Sequence, residues 1–270
     1  MIGAIIGDIC GSIYEFDNCK EYDKIKLFGR DCEYTDDTVM TIAVAQALMD
    51  SENYISGRYE TREDLFEALL PKAMRYYGEV FPYAGYGGRF ATWLQIWNPE
   101  AYNSYGNGSG MRVSSVGWMF DTLEETLKYA EISARVTHNH PEGIKGAKAV
   151  AGAVFLARTG AEKNDIKAFA EGLGYDLDFT VDEIRPTYYH DESCQKSVPQ
   201  AIECFLESTD FEQCIRLTLS LGGDCDTTAA MSGAIAEAFY GVPEWMKEEA
   251  LKRLPEPMLS QYKKFEEYRS

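Results

Sequence analysis

The sequence predicts an all-α fold, a bundle of many helices, and two observations carry that expectation. Apolar residues recur at helical spacing wherever the chain is periodic, and alternating strand patterns are scarce. The few strand-like stretches, near residues 24–28 and 179–184, are short and charged. Taken in order, the first element is the apolar opening, where Gly3, Gly7, Gly11 and Glu15 follow one another at intervals of four. If this segment is helical they lie along one slowly drifting face, and the glycines admit a second helix at close range. Asp8 and Glu15 then point to nearly the same side, two turns or roughly 10 Å apart. Residues 41–49, 147–157 and 229–239 are apolar nearly all round and rich in Ala, as central helices must be. One-sided stripes run through Phe66, Leu69, Leu70, Ala73 and Tyr77, through Val198, Ala201, Ile202, Phe205 and Leu206, and through Phe211, Cys214, Ile215, Thr218 and Leu219. These are surface helices with one buried face. Residues 113–120 predict a further helix. The stretches 17–33, 80–111 and 172–198 read as long irregular connections, and loops of that length are often functional. No repeat or linker divides the chain, so residues 1–270 are expected to form a single domain.

Charge and cysteine content narrow the class of function. The 26 Lys and Arg against 44 Asp and Glu leave a net charge of −18, so no nucleic-acid partner is expected. The seven cysteines are odd in number, scattered and never in a C-x-x-C pair, which fits reduced thiols in a cytosol. The opening lacks a basic start and is interrupted by Asp8, and no stretch approaches the roughly 20 apolar residues of a membrane span. A cytoplasmic protein without a membrane partner follows, and nothing compels it beyond a monomer.

Two short motifs carry the candidate chemistry. Tyr34-Thr35-Asp36-Asp37-Thr38 stands directly before the first buried helix, and Gly222-Gly223-Asp224-Cys225-Asp226-Thr227-Thr228 opens another. Helix capping explains one acidic pair, because side-chain oxygens and negative charge favour a helix start. It explains two pairs less well. Four carboxylates and two hydroxyls are the oxygen donors that hard cations such as Mg²⁺ take, and together they would supply a two-metal site. The soft thiol of Cys225 is mismatched to such ions and is expected to turn away. Glu15 is either an exposed residue on a packing helix or a carboxylate aimed at that site as acid, base or water-orienting group.

Further candidates are weaker one by one. In Tyr105-Gly106-Asn107-Gly108-Ser109-Gly110-Met111-Arg112 the alternating glycines permit positive φ and an anion-binding nest, or simply a flexible loop. Arg112 would pair with a phosphate or with one of the many carboxylates. His138 and His140 lack the second His/Cys cluster of a zinc site, so a substrate-contact or structural role is expected, and His190 reads as a surface residue. G-x-S-x-G, Walker and Rossmann patterns are absent.

Taken together, Gly7-Asp8-x-x-Gly11-x-x-x-Glu15, Tyr34-Thr35-Asp36-Asp37-Thr38, Gly106-Asn107-Gly108, Thr137-His138 and Gly222-Gly223-Asp224-x-Asp226-Thr227 resemble the ADP-ribosylglycohydrolases, also called ADP-ribosyl-acceptor hydrolases. The matches run from Gly3 to about Pro243. The resemblance implies a compact orthogonal multi-helix bundle with a binuclear metal cleft, two Mg²⁺ or Mn²⁺ ions, and removal of ADP-ribose from an acceptor by cleavage of its C1″ bond. The acceptor is an ADP-ribosylated protein or an ADP-ribose-containing small molecule. By the same resemblance Thr35, Asp36, Asp37, Asp224, Asp226 and Thr227 would be metal ligands, and Glu15 would act beside them, with Asp36 and Asp37, in the catalytic set. The loop formed by Gly106, Asn107, Gly108, Ser109, Gly110 and Met111 would hold the diphosphate, and His138 would line the adenosine end. Tyr83, Tyr86, Arg89 and Trp93 are candidates to frame the acceptor, with aromatic packing the plainer account of Trp93. A non-catalytic ADP-ribose-binding relative would keep the same fold. An isoprenoid-diphosphate enzyme is disfavoured, because Asp36-Asp37-Thr38-Val39 is followed by Met40 where D-D-x-x-D needs an aspartate.

Overall fold

The computed structural model describes residues 1–52 and 59–269. Among them the chain forms fifteen α-helices, one 3₁₀ turn at Tyr22–Lys24 and no strand beyond an isolated bridge between Gly106 and Ser193. The first eight helices are α1 (Ile2–Gly11), α2 (Asp36–Glu52), α3 (Arg62–Val80), α4 (Gly88–Gln95), α5 (Gly108–Met111), α6 (Ser114–Met119), α7 (Leu123–Arg135) and α8 (Pro141–Arg158). They are followed by α9 (Lys163–Gly172), α10 (Val181–Ile184), α11 (Cys194–Glu207), α12 (Phe211–Leu221), α13 (Cys225–Tyr240), α14 (Glu244–Leu251) and α15 (Glu256–Arg269). None of the described helices is long and apolar enough to cross a membrane. All seven cysteines are unpaired.

The helices expected to be central are central. Helices α2, α8 and α13 are buried over most of their length, and α13 packs against α1, α8, α11 and α12. Every residue of α1 is buried as well. Its glycines do what their spacing predicts: a Cβ on Gly3 would lie 2.1 Å from the Gly233 carbonyl oxygen, and one on Gly7 would lie 2.0 Å from that of Ala229. One on Gly11 would meet the Asp226 Cα at 2.4 Å. Backbone meets backbone along the whole crossing, and this brings the end of α1 to the start of α13.

The striped helices α3, α11 and α12 bury the expected faces, each leaving its other side to solvent. Their starts are set locally. Thr61 and Asp64 cap α3 reciprocally, and Asp210 accepts from Gln213 N at 2.8 Å at the start of α12. Two of the connections, 80–111 and 172–198, differ from the sequence reading. Residues 80–111 contain α4 and α5, residues 179–184 hold α10 instead of a strand, and α11 begins at Cys194, with Pro199 tolerated inside its early turns. Pro disfavours a helix interior because it removes one ladder bond, but the apolar face of α11 compensates through burial.

One buried carboxyl works against stability. Glu203 on α11 is 6% exposed, and its Oε2 has no hydrogen-bond partner. Burial raises its pKa from 4.5 to about 7, opposed by Lys167. The folded state therefore holds this proton more tightly than the unfolded state, so stability falls as pH rises from 4.5 through 7. Glu203→Gln lacks this loss. Its melting temperature relative to the parent should climb by about 2 °C or more between acid and mildly basic pH. A difference that stays constant in calorimetry across that window would show that Glu203 is not the cause.

Candidate active site

The segment after α1 and the starts of α2 and α13 meet at one cleft of about 310 Å³. Asp8, fully buried in α1, organises the first of these starts. It accepts from Thr35 N at 2.9 Å, from Thr35 Oγ1 at 2.6 Å and from Thr38 N at 3.0 Å, and the Thr38 hydroxyl donates to it as well. Asp8 is thus the cap of α2, supplied from another helix. The Thr35 hydroxyl gives its proton to the bond with Asp8, which leaves the oxygen lone pairs as its remaining function.

The second start depends on a sharp turn. Gly222 and Gly223 have φ of 76° and 79°, a region open to Gly at little cost. A Cβ on Gly223 would also lie 2.4 Å from the ring of Tyr188. Asn18 ties this turn to the segment after α1. Its Oδ1 accepts from Gly223 N at 2.7 Å, and its Nδ2 donates to the carbonyls of Tyr14 at 2.6 Å and Glu15 at 3.0 Å. Helix α1 ends at Gly11, so Glu15 does not continue the glycine face. It reaches the cleft from the turn that Asn18 holds, and it lines that cleft.

Two groups of carboxylates result. Oxygens of Asp8, Asp37 and Asp226 lie within 4.8 Å of one another, and so do oxygens of Glu15, Asp224 and Asp226. Asp226 belongs to both. Burial, reinforced by the neighbouring acids, holds the Asp37 and Asp226 carboxyls well above the usual carboxylate range. The same causes push Asp36 up to about 8, with Asp8 the first of its acidic neighbours, and Glu15 up to about 7, with Asp224 the first. Asp37 Oδ1 and Asp226 Oδ1 are buried without a hydrogen-bond partner. Buried carboxylate oxygens without partners, gathered around an all-oxygen donor set, fit a hard divalent cation. Thr227 completes the set beside them, its Oγ1 3.2 Å from Asp37 Oδ2. Asp36 lines the cleft but joins neither compact group.

The rest of the cleft is drawn from distant segments. Gly106, Asn107, Gly108, Met111, Arg112 and His138 line one wall. Gly85 and the residues from Gly87 to Phe90, together with Tyr102, Ser104 and Glu192, line the other parts. The glycines from 106 to 110 do not take positive φ; residues 108–111 form α5. Glycine serves there by its small size, since a Cβ on Gly108 would approach the His138 ring at 3.3 Å. Within this loop Ser109 turns inward, donating to the Gly143 carbonyl at 2.7 Å, and Gly110 packs under Met231. The Asn107 amide donates to Asp224 Oδ2 at 2.6 Å and so orients a carboxylate.

Among the acceptor-side candidates only Arg89 lines the cleft. Trp93 is 2% exposed and bonded to the Glu100 carbonyl, Tyr86 is bonded to the Phe81 carbonyl, and Tyr83 is 98% exposed. His190 lies at the rim, stacked on Phe16 and 3.2 Å from Glu192. Asp8 and Asn18 are the organising residues that sequence reasoning did not single out for this site, because each acts on a partner far along the chain.

Comparison with known proteins identifies the family. The chain is 25% identical to ADP-ribosylhydrolase ARH3 of Mus musculus, over 90% of this chain and 83% of that protein. It is 26% identical to ADP-ribosylhydrolase ARH3 of Homo sapiens, over 90% and 85%. A solved structure described as an ADP-ribosylglycohydrolase-related protein complex superposes with a TM-score of 0.71 at 22% identity, covering all of this chain and 97% of that one, so the fold is shared. The ADP-ribosylglycohydrolase family model matches residues 1–268, and the chain therefore belongs to the ADP-ribosylglycohydrolases, a family of glycosyl-bond hydrolases.

Proposed function

We propose that this protein is a divalent-cation-dependent hydrolase that releases ADP-ribose from an ADP-ribosylated acceptor by cleaving the C1″ bond. The acceptor is a protein side chain such as arginine or serine, or a small molecule. The observation that carries this reading is Asp226, shared by two acidic groups with unpartnered buried oxygens in a cleft of this family. Thr35, Asp36, Asp37, Asp224, Asp226 and Thr227 would hold two ions, Mg²⁺ or Mn²⁺. When bound, such ions supply positive charge at the cleft floor and polarise the oxygens they touch.

The chain's own residues do the rest. Asp8 takes the Thr35 hydroxyl proton, the same oxygen accepts a long bond from Asp37 N at 3.4 Å and keeps a further lone pair, and Asn107 fixes one oxygen of Asp224. Glu15 enters from the mouth of the cleft, half-buried, as the carboxyl that takes or gives a proton during bond cleavage. Gly106, Asn107, Gly108 and Met111, the members of the loop 106–111 that line the cleft, face the diphosphate. The first-turn amides of α5, at Gly108 and Ser109, are those that a helix leaves without internal partners.

The test is release of ADP-ribose from arginine-linked peptides, serine-linked peptides and O-acetyl-ADP-ribose, with Mg²⁺ and with EDTA. Release from one class, stopped by EDTA and lowered about a hundredfold in Glu15→Ala, is expected. Binding of ADP-ribose without release from any of them would replace this reading with that of a non-catalytic relative.

A further inference from the structure

Arg112 is 1% exposed and lines the cleft, yet its guanidinium is bonded to no carboxylate. Its Nη2 donates to the Ser133 carbonyl at 3.1 Å and to Thr137 Oγ1 at 2.7 Å. A guanidinium has only donors, so the Thr137 hydroxyl must be the acceptor in that bond, and its own proton must go elsewhere. The other hydrogen-bond neighbour of that hydroxyl is His138 Nδ1, at 2.7 Å. Thr137 is fully buried, so water does not offer the proton an alternative.

We propose that Arg112 and Thr137 are positioning residues that hold His138 as one tautomer, with Nδ1 accepting and Nε2 carrying the proton toward the cleft. His138 then presents a fixed hydrogen-bond donor to an acceptor oxygen of the bound ligand, a phosphate or a sugar hydroxyl. The direction of Nε2 follows from the loop above it. A Cβ on Gly106 would lie 3.5 Å from Nε2 and one on Gly108 would lie 3.3 Å from it, and both glycines line the cleft together with His138. The ring stays neutral, because burial and then the charges of Arg112 and Arg89 hold its pKa well below 6.5. Arg112 therefore serves twice: it orders the relay, and its charge keeps a second proton off the ring. The identity of the acceptor atom rests on the ligand reading above; the tautomer does not.

The experiment is two-bond ¹H–¹⁵N correlation spectroscopy on full-length protein with ¹⁵N-labelled histidine. There are only three histidines, and His138→Gln assigns the signal of interest. Ligand-free protein at neutral pH should show His138 as the neutral Nε2–H form. Thr137→Val keeps the shape and removes the hydroxyl, and it should convert that signal to a mixture of tautomers. The same variant should weaken ADP-ribose binding in calorimetry about fivefold to tenfold, the worth of one hydrogen bond. Thr137→Ser should restore both the tautomer and the affinity. An Nδ1–H or doubly protonated His138 in the parent protein, or an unchanged tautomer in folded Thr137→Val, overturns the proposal. A parent protein with the expected tautomer but no affinity for ADP-ribose supports the relay and removes the ligand reading instead.

Discussion

Asp226→Asn is expected to raise the melting temperature of the cation-free protein while removing both its response to Mg²⁺ and its turnover. The two effects have one origin. Asp226 is a member of both carboxylate groups, so without a cation it faces Asp37, Asp224, Glu15 and Asp8 in a buried setting. Like charges there cannot all ionise, and burial disfavours each ionised form. An amide of the same shape relieves that repulsion, and a gain of about 1 kcal/mol corresponds to roughly 2–4 °C for a chain of this size. With Mg²⁺ at about a hundredfold over its dissociation constant, the parent protein should gain about 2.7 kcal/mol, because the ion binds the folded state alone. The substituted amide offers one weaker oxygen where two groups each need a carboxylate, so this gain should nearly vanish. Turnover should fall about a thousandfold or more, since several kcal/mol of charge stabilisation are at stake and each 1.36 kcal/mol is a factor of ten. Thermal unfolding with and without Mg²⁺, followed by the peptide-release assay, checks all three. A variant that keeps the full Mg²⁺ shift would remove Asp226 from the ligand set and, with it, the central support for a two-cation site.

How far the sequence reveals this site depends on whether a residue acts locally. The paired acids at the starts of α2 and α13 are legible because both the motif and the buried helix behind it are contiguous in sequence. The same holds for the helix stripes and for the close-approach glycines of α1. Asp8 is not legible as a cap, since Thr35 and Thr38 belong to another element and the spacing within α1 suggests a partnership with Glu15 instead. Both carboxylates do reach Asp226, but by different routes, because α1 stops at Gly11, where the turn held by Asn18 takes over. The glycine loop misleads in a different way. Alternating glycines suggest unusual backbone angles, but what crowds out a side chain lies elsewhere in the chain: the His138 ring at Gly108, thirty positions away, and Met231 at Gly110. Gly85, Ser104 and Glu192 reach the cleft through tertiary packing alone, and no local pattern marks them.

Gly7→Ala is expected to unfold the protein or to lower its melting temperature by about 10 °C, although the same exchange inside a helix is ordinarily favourable by roughly 0.5–1 kcal/mol. The added carbon would lie 2.0 Å from the Ala229 carbonyl oxygen, 2.2 Å from its carbon and 2.6 Å from the nitrogen of Ala230. All three are backbone atoms, so no side chain can rotate away. Real Cβ contacts essentially never fall below 3.0 Å, and α1 must therefore withdraw from α13 by about 1 Å. Overpacking costs about 1–3 kcal/mol where side chains can adjust, and a rigid helix crossing belongs at or beyond the upper end. Against a total stability of about 5–15 kcal/mol that is a large fraction. Gly172→Ala in α9 is the control, because a Cβ there meets nothing within 4 Å, and it should leave the melting temperature unchanged or slightly higher. The consequence for the site is more specific than loss of fold. Gly11 continues the same face and touches Asp226 itself, and Glu15 follows four residues later. A Gly7→Ala protein that still folds at low temperature should thus bind Mg²⁺ more weakly, because the glycine face that seats α1 also sets the distance between Glu15 and the shared carboxylate. A variant that melts within about 2 °C of the parent would mean that the crossing adapts, and that the site is held by Asn18 and Asp8 without it.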